Sequence, residues 1–249
     1  MLGIVPAAGA GSRIQPLAFS KELLPVAARN GDGLVRPKAV AEFVVDRMLA
    51  AGADRICMVV APDKADVLRY FGRLAGYERL FFVLQPQPAG LCDALFRAAR
   101  HVRPDEMVLI GLPDTVWEPA NAYALAPRDC VHLITFPVRE PSLFDAVRMG
   151  AGGRVERVEV KAAGPIDRRV WGAITAPGEQ FLGLEELWRR RGARDLFLGH
   201  LLNAWLEAGR EISADCQGTA YRDVGTWAGF RAVIAPAGAE AAARSERGG

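Results

Sequence analysis

The sequence has little net charge, few aromatic residues and no long hydrophobic run. Its 31 Lys and Arg residues nearly balance 29 Asp and Glu residues, for a formal net charge of +2, and aromatic residues make up only 8% of the chain. A chain this close to neutrality gives no electrostatic reason to expect nucleic acid or an anionic membrane as a partner. No apolar stretch approaches the roughly 20 residues of a membrane span, and the chain opens on a glycine-rich loop without a signal-peptide pattern. We therefore expect a cytoplasmic protein with neither a nucleic-acid nor a membrane partner.

Cysteine and histidine are also scarce. The four cysteines are widely separated and form no C-x-x-C pair, so we predict free, buried thiols in a reducing compartment at Cys57, Cys92, Cys130 and Cys216. The three histidines lack metal-ligand spacing, which predicts structural or surface roles for His101, His132 and His200. The sequence thus predicts neither disulfides nor a histidine-bound metal.

Strands and helices alternate through the first half of the chain. Buried strands are predicted at 2–5, 55–61, 79–85 and 106–112, and amphipathic helices at 37–52, 63–72 and 90–102. Continuous apolar strands separated by amphipathic helices predict a mostly parallel sheet covered on both faces, in an α/β fold.

Strands with few helices between them dominate after Asp114. They are predicted at 130–138, 144–150, 153–161 and 170–177; helices return at 184–191 and 195–209, and a strand leads into a last helix within 220–234. This pattern predicts a smaller antiparallel or mixed β region added to the parallel core. No linker is evident, so we predict a single domain over 1–235 and a flexible tail over 236–249.

Residues suited to binding a nucleotide follow three of the predicted parallel strands. Gly9 and Gly11 offer unobstructed backbone N–H groups, and Arg13 adds a fork of donors, a combination that suits a phosphate chain. Gln85 carries an amide that could read a base edge, and Asp114 could hold a divalent metal. Ligands of open α/β sheets bind at this edge, so the residues point to a nucleoside triphosphate. The third glycine of G-x-G-x-x-G and the Walker A lysine are both missing, which argues against a dehydrogenase and a P-loop enzyme.

Four ordered motifs carry a resemblance to a known family. The stretch GAGSRIQPLAFSKELLPV resembles the signature of the sugar-1-phosphate nucleotidylyltransferases, in particular their glucose-1-phosphate thymidylyltransferases. The stretches QPQPAGLCDAL, VLIGLPD and YRDVGT resemble three later motifs of that family in the same order, and the opening PAAG is similar to the UTP–glucose-1-phosphate uridylyltransferases. The resemblance implies a three-layer, Rossmann-like nucleotide-diphospho-sugar transferase fold with a mixed, mostly parallel sheet.

The resemblance also implies an activity and a set of roles. A nucleoside monophosphate would pass from a pyrimidine nucleotide, with dTTP or UTP favoured, to a sugar 1-phosphate, with Mg²⁺ as cofactor and pyrophosphate as the other product. The implied catalytic residues are Arg13, Lys21 and Asp114. The implied nucleotide-binding residues are Ala8, Gly9, Gly11, Ser12, Gln85 and Gly90, and the implied metal ligands are Asp114 and Asp223.

The acceptor side matches the family less well than the nucleotide side. The resemblance implies sugar-phosphate contacts from Lys161, Asp145, Trp171 and Gly172. The family, however, has a glutamate at the position of Val160 and a glycine near Asp145. These departures leave the identity of the acceptor open.

Several alternatives stay open at the level of sequence. The chain could be a nucleotide- or sugar-sensing relative without turnover, or a transferase that uses CTP or a phosphate acceptor other than a glucose derivative. The segment 27–36 is longer than the usual connection in the family and has no functional interpretation. A homo-oligomer is possible.

Overall fold

The computed structural model describes residues 1–29 and 35–234. The predicted tail over 236–249 and the centre of the 27–36 segment lie outside the described residues. The strands are β1 Leu2–Pro6, β2 Pro25–Arg29, β3 Val35–Ala39, β4 Arg55–Val60, β5 Leu80–Leu84, β6 Met107–Gly111, β7 Thr115–Glu118, β8 Val131–Pro137, β9 Asp145–Met149, β10 Val155–Val160, β11 Arg169–Pro177, β12 Ile212–Asp215 and β13 Ala220–Asp223. The helices are α1 Val40–Ala50, α2 Ala65–Phe71, α3 Gly90–Arg97, α4 Ala122–Leu125, α5 Gly178–Arg190, α6 Leu198–Glu207 and α7 Trp227–Ile234. Among the described residues, no helix combines the length and the hydropathy needed to cross a membrane.

A nine-stranded mixed sheet lies at the centre of the described chain. Its main path runs β10-β9-β11-β6-β1-β4-β5, and β8 and β12 continue from β11. Strands β6, β1, β4 and β5 are parallel, whereas β11 runs antiparallel to β6. The carboxyl ends of the four parallel strands therefore share one edge of the sheet, as the sequence predicts, and this edge carries the glycine-rich loop that follows β1.

Helices cover both faces of the sheet, because successive strand residues point to opposite sides. On β4, Cys57 and Val59 enter a core cluster with α3, α5 and α6, while Ile56 and Met58 enter a second cluster with α1 and α2. The predicted three-layer α/β fold with a mixed sheet is thus confirmed.

Two small antiparallel pairs, β2–β3 and β7–β13, complete the described β structure. The first forms around the ends of the 27–36 segment, where the sequence suggests only a long connection. The second joins residues more than a hundred positions apart, and its register places Asp223 opposite Thr115. Strand β12 is also missing from the sequence-based prediction.

The cysteines differ from the prediction in exposure. Cys57 and Cys92 are free and buried, as expected. The prediction of burial is wrong for Cys216, which is exposed, and Cys130 is only half-buried. Cys216 lies just beyond the end of β12 between the polar residues Asp215 and Gln217, so the general tendency of free cysteine toward burial does not hold there.

Candidate active site

The glycine-rich loop after β1 lies against the side chain of Lys21. Gly11 has a φ of +67°, a conformation that favours glycine. A Cβ at Gly11 would also lie 3.0 Å from Lys21 Cδ, so the absence of a side chain lets the lysine stem pass. The ammonium group of Lys21 donates a 2.5 Å hydrogen bond to Asp114 Oδ2. The loop and the lysine that follows it in sequence thus converge on the end of β6.

Two carboxylates meet at this position because β13 pairs with β7. The N–H of Val224 donates to the Asp114 carbonyl at 2.8 Å, which joins the two strand ends. An ideal Cβ at Gly225 would lie 2.4 Å from Asp114 Oδ2 and 3.0 Å from Asp223 Oδ1. Both carboxylates therefore approach the same small space, which glycine leaves open. Asp223 in turn accepts a 2.9 Å hydrogen bond from Arg13.

The charges of Lys21, Arg13, Asp114 and Asp223 shift the pKa values of Lys21 and of the two aspartates. Burial would raise the pKa of Asp114, but the Lys21 ammonium and Arg13 outweigh burial and hold that pKa below its usual value. Burial and the negative charge of Asp114 raise the pKa of Asp223, and Arg13 opposes them. Burial acts to lower the pKa of Lys21, yet its acidic neighbours raise it. At neutral pH the arrangement holds two cationic groups against two acids, with Asp223 the more easily protonated acid.

A cavity of about 460 Å³ opens on these residues. Its lining at the strand-end side includes Arg13, Gly90, Asp114, Thr115 and Asp223. Its other end is largely aromatic and aliphatic, and its lining there comprises Leu143, Phe144, Asp145, Lys161, Trp171, Phe197 and Tyr221. One continuous space thus joins Gly90 and the predicted catalytic residues Arg13 and Asp114 to three of the predicted acceptor residues, Asp145, Lys161 and Trp171.

Lys161 stands at the acceptor end in an unusual conformation. It directly follows β10 with a φ of +43°, which is rare outside glycine and asparagine. Its ammonium group lies 4.5 Å from the centre of the Phe197 ring, a cation–π contact. Asp145 is the register partner of Val160, the residue before Lys161, across the β9–β10 pair. Burial raises the pKa of Asp145, and the charges of Lys161 and His200 oppose this effect.

Not every predicted site residue lines the cavity. Gly172 lies on β11 beneath Tyr221, where a Cβ would come within 2.4 Å of the tyrosine ring. Gln85 is buried, and its amide nitrogen donates to the Gly90 carbonyl at 3.2 Å and to Asp93 at 2.7 Å. Base recognition by Gln85 stays a prediction, and these contacts favour a role in holding the Gly90 turn. Ala8, Gly9 and Ser12 lie in the loop after β1, with Ala8 buried and Ser12 exposed.

Other residues of the site were missed by sequence reasoning. Phe197 and Tyr221 line the acceptor end, although nothing in the local pattern around Phe197 marks it. Lys64 is a buried lysine directly beneath the glycine-rich loop, where it contacts Glu22. Lys64 follows β4 at the same sheet edge as the other site residues, and that position in the sequence could have marked it as a site residue. Glu22 carries no such signal, because one acidic residue beside Lys21 has the pattern of a solvated turn.

Comparisons with known proteins show the family and the fold of this chain. The family model described as nucleotidyl transferase matches residues 2–237. The glucose-1-phosphate thymidylyltransferase of Mycobacterium tuberculosis strain H37Rv is 25% identical over 243 residues, which cover 91% of this chain and 78% of the relative. The UDP-glucose pyrophosphorylase of Acinetobacter baumannii has the same fold, with a TM-score of 0.74, 19% identity and coverage of 93% of this chain and 91% of that one. Its UTP-bound form superimposes with a TM-score of 0.73 at 19% identity, covering 94% and 91% of the two chains.

Proposed function

Because the chain belongs to the nucleotidyl transferase family, we propose that it transfers a nucleoside monophosphate from a pyrimidine nucleoside triphosphate to a sugar 1-phosphate and releases pyrophosphate. The favoured nucleotides are dTTP and UTP. The observation that carries the proposal is one cavity lined by Arg13, Asp114, Asp223 and Lys161, in which Arg13 pairs with Asp223 and Asp114 binds the neighbouring Lys21. The names of the similar glucose-1-phosphate thymidylyltransferase and UDP-glucose pyrophosphorylase support the same reaction class.

The nucleotide side would neutralise and orient the triphosphate. Backbone N–H groups of Gly9, Gly11 and Ser12 suit the phosphate chain, since glycines leave the amides accessible. Lys21 and Arg13 would stabilise the charge that develops on the β- and γ-phosphates as pyrophosphate leaves. In the structure the same two cations are paired with Asp114 and Asp223.

The residues present also fit a magnesium ion. Mg²⁺ is bound in such sites by one or two carboxylates together with substrate phosphates, and Asp114 and Asp223 converge on the space beside Gly225. These two aspartates would hold the ion. When bound, Mg²⁺ would offset negative charge on the phosphates.

The acceptor would be held at the aromatic end of the cavity. Lys161 is suited to bind the phosphate of the sugar 1-phosphate, while Trp171 and Asp145 could contact the body of the sugar. An acceptor phosphate oxygen is already anionic near neutral pH, so it can attack the α-phosphorus without a general base. The new O–P bond forms as the bond to the leaving pyrophosphate breaks, and positioning and charge neutralisation lower the barrier.

The test is pyrophosphate release with Mg²⁺, crossing dTTP, UTP, CTP, GTP and ATP with glucose 1-phosphate and other sugar 1-phosphates. We expect release with a pyrimidine nucleotide and one sugar 1-phosphate. Asp114→Asn should abolish turnover and leave folding intact, because the two side chains have the same shape. Asp54→Asn is the control, since Asp54 is an exposed aspartate outside the cavity whose side chain accepts a hydrogen bond from the amino group of Met1.

The outcomes separate the alternatives. Wild-type activity in Asp114→Asn would contradict the metal assignment. If no pair of nucleotide and sugar 1-phosphate releases pyrophosphate but a nucleotide binds tightly, sugar-1-phosphate transfer is overturned. That result would favour a sensing relative or a different phosphate acceptor. Release with CTP would shift the base preference only.

A further inference from the structure

A buried lysine supports the glycine-rich loop from the side opposite to solvent. Lys64 lies just after β4, and only 8% of its side chain is exposed. Its ammonium group donates three hydrogen bonds of 2.7 Å, to the carbonyl oxygens of Ala7 and Gly9 and to Glu22 Oε1. All three donors of the ammonium group are therefore used.

The two carbonyl contacts determine the orientation of the loop. In a trans peptide the C=O of one residue and the N–H of the next point in opposite directions. The carbonyls of Ala7 and Gly9 point to Lys64, so the N–H groups of Ala8 and Ala10 point to the other side of the loop. These two fixed peptides flank the one that carries the Gly9 N–H, which is assigned to the triphosphate. A phosphate chain requires this orientation, because carbonyl oxygens that faced it would repel it. Glycine makes the alternative orientation accessible, so the loop needs an external constraint.

The same lysine ties the loop to the segment that carries Lys21. Glu22, the acid bound to Lys64, is fully buried and adjacent to Lys21 in sequence. A parallel contact lies next to it, since the Ser20 N–H and hydroxyl both donate to the Asp66 carboxylate at 2.7 Å. The start of α2 thus holds both chain segments that supply phosphate-binding groups.

We propose that Lys64 is a positioning residue that fixes the peptide orientation of the glycine-rich loop for binding a triphosphate chain, with Glu22 as its neutralising partner. This inference rests on the proposed function, since it assigns the loop to the triphosphate. Lys64 itself does not contact the nucleotide, because its donors are occupied by the loop carbonyls and Glu22.

The test uses the double variant Lys64→Met/Glu22→Gln in the full chain. Removing the lysine alone would leave the Glu22 charge buried and unpaired, which is a frequent cause of unfolding. The double variant removes both charges with side chains of similar length.

A matched control lies at the other end of the same strand. Arg55 begins β4 and pairs with the mostly buried Glu106 at 2.6 Å, so Arg55→Met/Glu106→Gln removes a comparable ion pair away from the loop. Thermal unfolding of each variant checks the fold. Calorimetry then measures binding of inorganic tripolyphosphate, and steady-state kinetics give the KM of the nucleotide and of the acceptor separately.

We expect Lys64→Met/Glu22→Gln to weaken tripolyphosphate binding and raise the nucleotide KM about tenfold or more, as the loss of one or two well-placed hydrogen bonds implies. The acceptor KM should change by less than about twofold, and the control should keep tripolyphosphate affinity within about threefold. A folded double variant with wild-type affinity and nucleotide KM would overturn the inference, as would a control with an equal loss.

The two proposals fail differently. If no nucleotide and acceptor pair gives turnover but tripolyphosphate binds and the double variant loses it, the proposed function fails and the role of Lys64 stands. If turnover is present and the double variant is unaffected, the role of Lys64 fails and the function stands. A wild-type protein that binds no tripolyphosphate and shows no turnover overturns both.

Discussion

Lys161 holds a backbone conformation that is costly for a lysine. A left-handed residue with a Cβ is disfavoured by about 1 kcal/mol or more, and asparagine tolerates the conformation better. Strain of this kind persists where the surroundings determine it and is concentrated at functional sites. The φ of +43° delivers the Lys161 side chain to the acceptor end of the cavity, against Phe197. The strain thus accompanies the position that the proposed reaction requires.

Exchanging this lysine should separate stability from function. We expect Lys161→Asn to keep or raise the free energy of unfolding, by up to about 1 kcal/mol, while the acceptor KM rises and the nucleotide KM stays the same. Ala193 is a matched control, since it also has a positive φ, of 55°, outside the cavity. Ala193→Asn should stabilise similarly without a kinetic effect. Denaturant unfolding and steady-state kinetics check both, and an unchanged acceptor KM in Lys161→Asn would contradict the assignment.

At the level of elements, the strand pair β7–β13 assembles the two carboxylates. Asp114 is predictable from sequence because it follows an apolar strand at the edge where ligands bind. Its meeting with Asp223 is not, because it depends on pairing between segments more than a hundred residues apart. Strand β13 has the four-residue sequence AYRD, without the continuous apolar run that identifies β1 or β4. A strand is predictable there, but its partner strand is not. Only the resemblance to a family implies that Asp114 and Asp223 act together as metal ligands.

Gly225 sits at the end of this strand pair and tests the convergence directly. Gly225→Ala would place a Cβ 2.4 Å from Asp114 Oδ2, so one or both carboxylates must move. We expect a folded protein whose Mg²⁺-dependent turnover falls about a hundredfold, the loss typical of a misplacement of about 1 Å. Gly164→Ala is the control, because a Cβ there meets nothing within 4 Å. Near-normal turnover in Gly225→Ala would show that the carboxylates do not act at this space.

At the scale of the whole molecule, the sequence predicts the layers better than the acceptor end of the site. Alternating residues of β4 divide between the two core clusters, and that division follows from strand geometry alone. The acceptor end has no comparable rule. Phe144, Trp171, Phe197 and Tyr221 come from four separate segments, and each would read equally well as a core aromatic. Their assembly follows from the packing of β9, β11, β13 and α6, which no local pattern encodes.

The free thiols report on the integrity of these layers. Cys57 on β4 and Cys92 on α3 belong to the same core cluster, and burial raises the pKa of each to about 12. At pH 8 only about one in ten thousand of either thiol is ionised, and the thiolate is the reactive form. A thiol-specific reagent should therefore modify exposed Cys216 quickly and half-buried Cys130 more slowly, and should reach Cys57 and Cys92 only after denaturation. Mass spectrometry of the labelled peptides, with Cys216→Ser to remove the fast phase, checks the order. Rapid labelling of Cys57 or Cys92 in the folded protein would mean that the cluster between the sheet and α3 opens under native conditions.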